Sequence, residues 1–321
     1  IQNDVMHVDV GRFVRQPVIA RHGRNRGLVA VEEIDRGFCG GRRRDGLAAC
    51  AEMLWPDRPF AWRLKRLTEM GFQCGIWNWT NHDLGMLEKS GAVFSSMTGY
   101  IRGRLSDDEG ANELLATATQ SIDVAKRLNV ARLNLHGTGL GDRGLPVTPC
   151  EVVTGAMWLK ARDTLFRIAD LADEHGVTFM LETLNLPVDH PGVPFAKVED
   201  TLALVASIDR PGLRLNLDLY HVQIGEGNLI DWCRKCRPWI GEIQVADVPG
   251  RMEPGTGEIN YTNVAHALTA MGYTGPVCLE AFASGDPVTG VPGEGNLGVL
   301  QAGALEESNV DLTGELVNMI T

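Results

Sequence analysis

From residue 46 onward the chain alternates short apolar runs with longer stretches that repeat apolar residues at helical spacing. The apolar runs predict eight strands, at residues 48–55, 72–79, 92–98, 132–136, 178–182, 213–218, 240–246 and 276–282. The stretches between them predict helices at residues 59–70, 83–89, 106–128, 152–175, 198–208, 229–236 and 262–271. Strict alternation implies parallel strands joined by right-handed crossovers, and eight such strands close a barrel. We therefore predict an α/β fold, a single (β/α)8 TIM barrel with an N-terminal extension.

The helix predicted near residue 106 has the clearest local start signal. Ser106 stands at the N-cap position, and Glu109 three residues later would complete a capping box. Leu114, Ala118 and Ile122 follow at helical spacing. One face of this helix is therefore expected to pack against the core.

The first 45 residues differ from the rest, because they are rich in arginine and glycine and show no regular periodicity. We assign residues 1–45 to an N-terminal extension and residues 46–321 to the barrel domain. The extension is either a surface arm or a contact for an oligomer or partner, and the sequence leaves both open. A Gly/Pro-rich stretch begins at Ser284, and a final helix is expected within residues 297–320.

Composition narrows the class of protein. The 321 residues are 44% hydrophobic and 22% charged, as in a globular protein with a sizeable core, and the formal net charge is −11. That charge argues against nucleic acid or an anionic membrane as the main partner, and no apolar run is long enough to span a bilayer. The seven cysteines mostly stand in apolar stretches, so we expect reduced, buried thiols in a cytoplasmic protein. Cys233 and Cys236 have no second pair, which argues against a zinc or redox site there.

The ends of the last four predicted strands carry the main chemical signal. Strands five, six, seven and eight are apolar runs that deliver Glu182, Asp218, Gln244 and Glu280. In a barrel of parallel strands these ends meet at one face, where the active sites of such barrels lie. Any one of these side chains alone could be a helix cap or surface ion pair, but three carboxylates at one point would repel one another without a cation. The set predicts an oxygen-ligand site suited to Mn²⁺ or Mg²⁺.

Four motifs give the chain a family resemblance. They stand at residues 181–185 (LETLN), 218–223 (DLYHVQ), 244–251 (QVADVPGR) and 253–261 (EPGTGEINY). In order and spacing they resemble hydroxypyruvate isomerase, a family within the xylose isomerase-like sugar isomerase and epimerase barrels, from about residue 48 to residue 282. The resemblance implies one divalent cation, Mn²⁺ with Mg²⁺ or Co²⁺ as alternatives. Its implied ligands are Glu182, Asp218, Gln244 and Glu280, and its implied substrate-binding residues are His221 and Arg251.

The resemblance also implies a reaction on a carbohydrate-like substrate. A bound cation would polarise the substrate carbonyl, and the adjacent C–H would lose its proton to give an enediolate. Glu182 and Glu280 are expected to remove and return that proton. Asp247 is expected either to contact the substrate or to orient Arg251 or a metal ligand.

Three features depart from the isomerase pattern: the N-terminal extension, the histidine His136 at the end of strand four, and the Gly/Pro-rich run from Ser284. His136 is either an additional base at the barrel mouth or a residue that anchors a loop. These features suit the α-subunits of C-glycoside deglycosidases, similar Mn²⁺-binding barrels that pair with a small β-subunit. As a lyase of that kind, the chain would act on 3-oxo-glycosides by β-elimination.

Aromatic residues near the ends of strands one to three bear on the same choice. They either line a pocket for a flat aglycone or pack the barrel; they are Trp55, Trp77, Trp79, Phe94 and Tyr100. A third hypothesis is a catalytically silent barrel that serves as a subunit. The complete set of four ligand-type residues with His221 and Arg251 argues against it. We expect an oligomer, with or without a small β-subunit.

Overall fold

The computed structural model describes residues 46–282. The predictions for residues 1–45 and for the Gly/Pro-rich run and helix beyond residue 282 lie outside the described residues. The limits of the extension and of the barrel domain therefore remain predictions.

Eight parallel strands form a closed ring in the order of the sequence, with β8 pairing with β1. The strands are β1 (Leu47–Cys50), β2 (Gln73–Ile76), β3 (Phe94–Thr98), β4 (Arg132–Leu135), β5 (Thr178–Glu182), β6 (Leu213–Asp218), β7 (Ile240–Val245) and β8 (Val277–Leu279). This confirms the predicted (β/α)8 barrel. The register sets Glu182 opposite Asn216 and Asp218 opposite Gln244, so the polar ends of neighbouring strands lie at the same height.

Helices follow the strands around the outside of the ring. They are α1 (Phe60–Glu69), α2 (Leu84–Lys89), α3 (Asp108–Leu128), α4 (Gly155–His175), α5 (Val198–Ile208), α6 (Leu219–Gly225), α7 (Leu229–Cys236) and α8 (Tyr261–Ala270). The short helix α6 directly follows β6 and was not predicted. Asp218 caps it, accepting hydrogen bonds from the backbone N–H groups of Tyr220 and His221.

The start of α3 corrects one prediction. Asp107, rather than Ser106, is the N-cap, and its side chain accepts a hydrogen bond of 2.9 Å from the backbone N–H of Gly110. A carboxylate satisfies a free helix N–H and also opposes the positive end of the helix dipole, which a serine hydroxyl does not. The predicted inner face is confirmed, because Leu114, Ala118 and Ile122 are fully buried.

The predicted aromatic residues and cysteines can also be compared with the structure. Trp55 and Phe94 are buried in the core, whereas Trp77 and Tyr100 line the cavity described below. The six cysteines of the described residues are free, and five of them are buried. In the same part of the chain, no helix combines the length and the apolar character needed to cross a membrane.

Candidate active site

The carboxyl ends of β5–β8 bring the four predicted metal ligands to one mouth of the barrel. Glu182 ends β5, Asp218 ends β6, Gln244 is the last residue but one of β7, and Glu280 directly follows β8. All four are buried. Glu182, Gln244 and Glu280 line a cavity of about 550 Å³, together with the side chain of Arg251.

The Arg251 guanidinium lies among the acidic groups. Its Nη2 donates to Asp218 Oδ2 at 2.7 Å and stands 3.2 Å from Glu280 Oε1, while its Nε donates to the Glu280 carbonyl at 3.0 Å. Positive charge beside a buried carboxylate favours the ionised form. Arg251 therefore balances part of the negative charge that the strand ends concentrate here.

Glu182 is held from the other side of the barrel. His136 Nε2 donates to Glu182 Oε2 at 2.9 Å, and the side-chain amide of Asn134 donates to the same oxygen. The Tyr100 hydroxyl lies 3.0 Å from His136 Nδ1 and donates to the Thr138 carbonyl at 2.8 Å. His136 thus lies at the cavity in direct contact with a predicted metal ligand, and it is anchored there by Tyr100.

Burial opposes the ionised form of all three carboxylates, but their partners differ. The pKa of Glu182 is nonetheless below its ordinary value, because the His136 hydrogen bond and the charges of His136 and Arg251 outweigh burial. Burial raises the pKa of Asp218 to about 6, although Arg251 acts in the opposite direction. Burial also raises the pKa of Glu280 to about 8. The negative charges of Glu182 and Asp218 raise this pKa further, whereas the positive charge of Arg251 lowers it.

His221 lies on α6, one turn beyond Asp218, and is almost completely buried. Its Nε2 stands 3.6 Å from Asp218 Oδ2 and 4.0 Å from Glu182 Oε1, so these three side chains could meet one metal ion. Burial and the nearby Arg251 charge lower its pKa well below the ordinary value. His221 is therefore a neutral imidazole at pH 7.

Two buried oxygens test whether a cation fits among these residues. Gln244 Oε1 and Glu280 Oε2 are shielded from solvent, and no hydrogen-bond donor of the described residues meets either atom. Buried polar oxygens are nearly always paired, so such atoms at a functional site indicate a missing partner. Carboxylate and amide oxygens are the ligands that hard divalent cations prefer. The donor set fits a divalent cation.

Asp247 is placed differently from the other predicted site residues. It is fully buried and does not line the cavity. Its carboxylate oxygens accept four backbone hydrogen bonds of 2.9 to 3.0 Å, from Val248, Gly255, Gly257 and Ile259. The loop that these bonds fix carries Arg251, whose φ of 56° lies in the left-handed region. That conformation costs about 1–2 kcal/mol for a residue with a side chain, and the Asp247 bonds help to hold it.

Several residues at or beside the cavity make contacts that were not predicted from the sequence. Trp77 Nε1 donates to Glu280 Oε1, and Asn134 holds Glu182 as described above. His190 lines the cavity, and its Nδ1 lies 2.7 Å from the carbonyl oxygen of Gly144 in the neighbouring loop. Asn185, the last residue of the LETLN motif, contacts His221. For Asn134 and Asn185 the signal was their place beside a ligand-type residue or histidine. Trp77 was named only as an aromatic residue that either lines a pocket or packs the barrel, and His190 was not named.

A family profile described as "Xylose isomerase-like TIM barrel" matches residues 75–300, which is more than half of the chain. The protein therefore belongs to the xylose isomerase-like TIM barrel family. A second profile, described as the C-terminal part of flagellar basal body rod FlgEFG proteins, matches residues 301–321, outside the described residues.

Within the family, the sequence is similar to isomerases of small oxo acids. It is 31% identical over 173 residues to a putative hydroxypyruvate isomerase from Homo sapiens, covering 54% of this chain and 61% of that protein. It is 38% identical over 118 residues to a 2-oxo-tetronate isomerase from Pectobacterium atrosepticum, covering 37% and 45%. A 2-oxo-tetronate isomerase from Haemophilus influenzae is 29% identical over 245 residues, covering 75% and 85%. The chain thus spans less than two thirds of the first two relatives.

Solved structures share the fold. An AP endonuclease of family 2 from Brucella melitensis superposes with a TM-score of 0.66 at 24% identity, covering 75% of this chain and 94% of that one. A D-psicose 3-epimerase with D-tagatose from Clostridium cellulolyticum H10 gives 0.62 at 18% identity, covering 74% and 85%. The IOLI protein, with a bound zinc atom, gives 0.58 at 19% identity, covering 74% and 90%.

Proposed function

We propose that the protein is a divalent cation-dependent isomerase or epimerase that acts on a sugar-like carbonyl substrate. One observation carries this proposal: four oxygen-bearing side chains meet at neighbouring strand ends, and two of their buried oxygens lack a donor within the described residues. The isomerase names of the relatives and the epimerase among the similar structures support it. The zinc of the IOLI protein supports a divalent cation, whose identity stays open.

Glu182, Asp218, Gln244 and Glu280 would hold the cation. When bound, it would polarise the substrate carbonyl and so acidify the adjacent C–H. Glu182 and Glu280 would remove that proton and return one through the carboxylate oxygens that face the substrate. The proton thus leaves one carbon and is returned to the neighbouring carbon in an isomerase, or to the other face of the same carbon in an epimerase.

Two residues would bind the oxygens of the substrate. Arg251 and His221 both line the cavity. A guanidinium and a neutral imidazole N–H would stabilise the negative charge that develops on a substrate oxygen as the proton leaves. Asp247 would act by holding the Arg251 loop, without touching the substrate.

The size of the cavity bears on the substrate. A volume of about 550 Å³ lies within the range of about 300–1,000 Å³ that is typical of small-molecule pockets. The cavity therefore admits a sugar or sugar acid as well as a three-carbon oxo acid. The net charge of −11 disfavours nucleic acid as a substrate.

A lyase acting on 3-oxo-glycosides, an oligomer and a small β-subunit remain predictions, and no observation in the described residues favours the lyase over the isomerase. A catalytically silent barrel would have no use for buried, unpartnered ligand oxygens. Cation binding separates it from both enzymes.

Proton exchange in D₂O, followed by NMR, tests the proposal. The Mg²⁺-loaded protein would be offered hydroxypyruvate, a 2-oxo-tetronate, D-fructose, D-psicose and a 3-oxo-glucoside, with Glu280→Gln as the inactive control. We expect deuterium to enter the carbon beside the carbonyl, with an isomerised or epimerised product from at least one free substrate. Aglycone release from the 3-oxo-glucoside alone would assign the lyase instead. Failure to bind any divalent cation would overturn the enzyme proposal.

A further inference from the structure

Two guanidinium groups belong to the cavity lining, and they are placed differently. Arg251 lies among the buried strand ends, where each of its three nitrogens meets a partner, namely Glu280, His221 or Asp218. Arg143 lies on the exposed loop between β4 and α4. In the part of the chain that the structure describes, no residue forms a hydrogen bond or ion pair with the Arg143 guanidinium. The cavity thus carries one guanidinium whose charge the described residues leave unpaired.

A tight hairpin holds Arg143 in this place. The Gly141 N–H donates to the Leu145 carbonyl at 2.8 Å, and the Gly144 N–H donates to the Gly141 carbonyl at 3.1 Å. Arg143 stands at the tip with a φ of 56°, in the left-handed region, and Gly144 follows with a φ of 74°. A residue with a side chain adopts that region at a cost in free energy. The hairpin bonds therefore fix a specific backbone shape at Arg143.

The hairpin is tied to the next loop through His190. His190 Nδ1 donates to the Gly144 carbonyl at 2.7 Å. The His190 ring also packs edge-on against His221, with 4.9 Å between the ring centroids, and His221 Nε2 stands 4.0 Å from Glu182 Oε1. A series of contacts therefore leads from a predicted cation ligand, through two histidines, to the hairpin that carries Arg143.

Exposure to solvent differs between the two ends of this series. Glu182 is 5% exposed, His221 is 1% exposed and His190 is 9% exposed, whereas Arg143 is an exposed residue. The predicted cation ligands thus lie at the closed end of the cavity, and Arg143 lies at its open end. A substrate whose carbonyl meets the cation presents its far end to Arg143. A guanidinium offers a fork of N–H donors that matches the oxygens of a carboxylate or phosphate.

We propose that Arg143 is a specificity-determining residue that binds an anionic group, a carboxylate or a phosphate, at the end of the substrate remote from its carbonyl. The placement of the carbonyl rests on the proposed function, but the anion site itself does not. The assignment narrows the class of substrate. A neutral ketose, or an oxo acid whose carboxylate adjoins the carbonyl, leaves Arg143 unpaired.

Three ketones that differ only at carbon 6 test this assignment. D-Fructose, D-fructuronate and D-fructose 6-phosphate share the ketone end and carry a hydroxyl, a carboxylate and a phosphate at the other end. Calorimetry with and without Mg²⁺ would measure their Kd values in the wild type, in Arg143→Gln and in Arg162→Gln, which changes an exposed arginine of α4 outside the cavity lining. We expect Arg143→Gln to raise the Kd of at least one anionic ketone about tenfold and that of D-fructose less than about twofold. Arg162→Gln should leave all three Kd values unchanged.

The outcomes separate this inference from the proposed function. A loss of affinity for D-fructuronate alone identifies a carboxylate as the bound group, and a loss for D-fructose 6-phosphate alone identifies a phosphate ester. Equal Kd values in the wild type and Arg143→Gln for both anions, or binding of neither, would overturn the proposal whether or not the protein turns over a sugar. Arg143-dependent affinity in a protein that exchanges no substrate proton would sustain the anion site and reject the proposed reaction.

A second variant displaces the hairpin without removing the charge. A Cβ at Gly144 would stand 2.7 Å from His190 Cε1, and the φ of 74° disfavours a side chain there. Gly144→Ala should therefore raise the Kd of the anionic ketone about threefold to tenfold. Gly155→Ala is the control, because its Cβ would meet no atom within 4 Å. Wild-type affinity for both anions in Gly144→Ala would contradict the placement of Arg143 through His190.

Discussion

The two halves of the barrel contribute different chemistry to one cavity. Strands β5–β8 supply the negative charge, as Glu182, Asp218 and Glu280. The first four strands and the loops after them supply no carboxylate to the cavity lining within the described residues, but they supply donors. Trp77 donates to Glu280, and Asn134 and His136 donate to Glu182.

This difference shows what barrel closure does for the site. Each glutamate is the end of a strand in the second half, and each is oriented by a donor from the first half. The pKa of Glu182 falls where two such donors meet it, whereas the pKa of Glu280 rises where burial and like charge prevail. Charge from one half and donors from the other together differentiate two glutamates of the same residue type.

The largest effect is expected from the charged half. Glu182→Gln and Glu280→Gln should each lower kcat/KM by at least about 10³-fold, because each removes a proton carrier and a cation ligand. The proton-exchange assay measures the rate, and calorimetry measures cation affinity. Glu174→Gln, at an exposed carboxylate of α4, is the matched control. A near-normal rate in Glu280→Gln would refute the role of two glutamates.

The next effect concerns the loop that carries Arg251. A Cβ at Gly257 would stand 2.1 Å from the Val248 carbonyl and 2.7 Å from Asp247 Oδ1, so Gly257→Ala must displace that loop. We expect kcat/KM to fall about 100-fold, since small displacements of a binding group cost this much. Gly225→Ala is the control, because its Cβ would meet no atom within 4 Å. Equal rates in both variants would show that the loop position is unimportant.

The hydrogen-bond donors from the first half of the barrel should influence how activity depends on pH. Glu182 must be ionised to accept a proton, and the His136 bond keeps its pKa low. In His136→Gln the burial of Glu182 prevails and its pKa rises, so activity should be lost from the acid side at a higher pH than in the wild type. At pH 6 the rate should fall about tenfold. The pH profile of kcat/KM checks this, and an unmoved acid limb would contradict it.

The smallest effect is expected at Trp77, which is 41% exposed. Trp77→Phe keeps the aromatic wall of the cavity but removes the N–H that meets Glu280. The rate should fall about threefold to tenfold, as expected for one partly solvated hydrogen bond. Trp79→Phe, whose N–H reaches Ser121 instead, should keep the wild-type rate. A larger loss of rate in Trp79→Phe than in Trp77→Phe would contradict the role of the Trp77 N–H at Glu280.

The accuracy of the sequence predictions also differs between the two halves of the barrel. The bounds of β5, α5 and β6 were predicted correctly, because each apolar run there ends at a polar or turn residue. The first predicted strand, by contrast, ran to residue 55, whereas β1 ends at Cys50. Met53, Leu54 and Trp55 are buried in the following turn, and a buried turn is as apolar as a buried strand.

Some residues of the site could be predicted from the sequence, and others could not. The four ligand-type residues were predicted from one repeated feature, the polar residue at a strand end. Their donors were not, because Trp77 and Glu280 are 203 positions apart and Asn134 and Glu182 are 48 apart. Only closure of the ring brings these residues together. The N-cap at Asp107 was missed for a different reason, since two capping residues stood side by side.

The Asp247 carboxylate also affects amide hydrogen exchange in the loop that carries Arg251. Backbone amides on exposed loops usually exchange their hydrogens rapidly with solvent. Gly255 and Gly257 are exposed, yet their N–H groups bond to a carboxylate that is wholly buried. Their exchange therefore requires the loop to separate from β7. These two glycine amides should therefore exchange more slowly than the amides of other exposed turns, and their rate measures how often this loop opens.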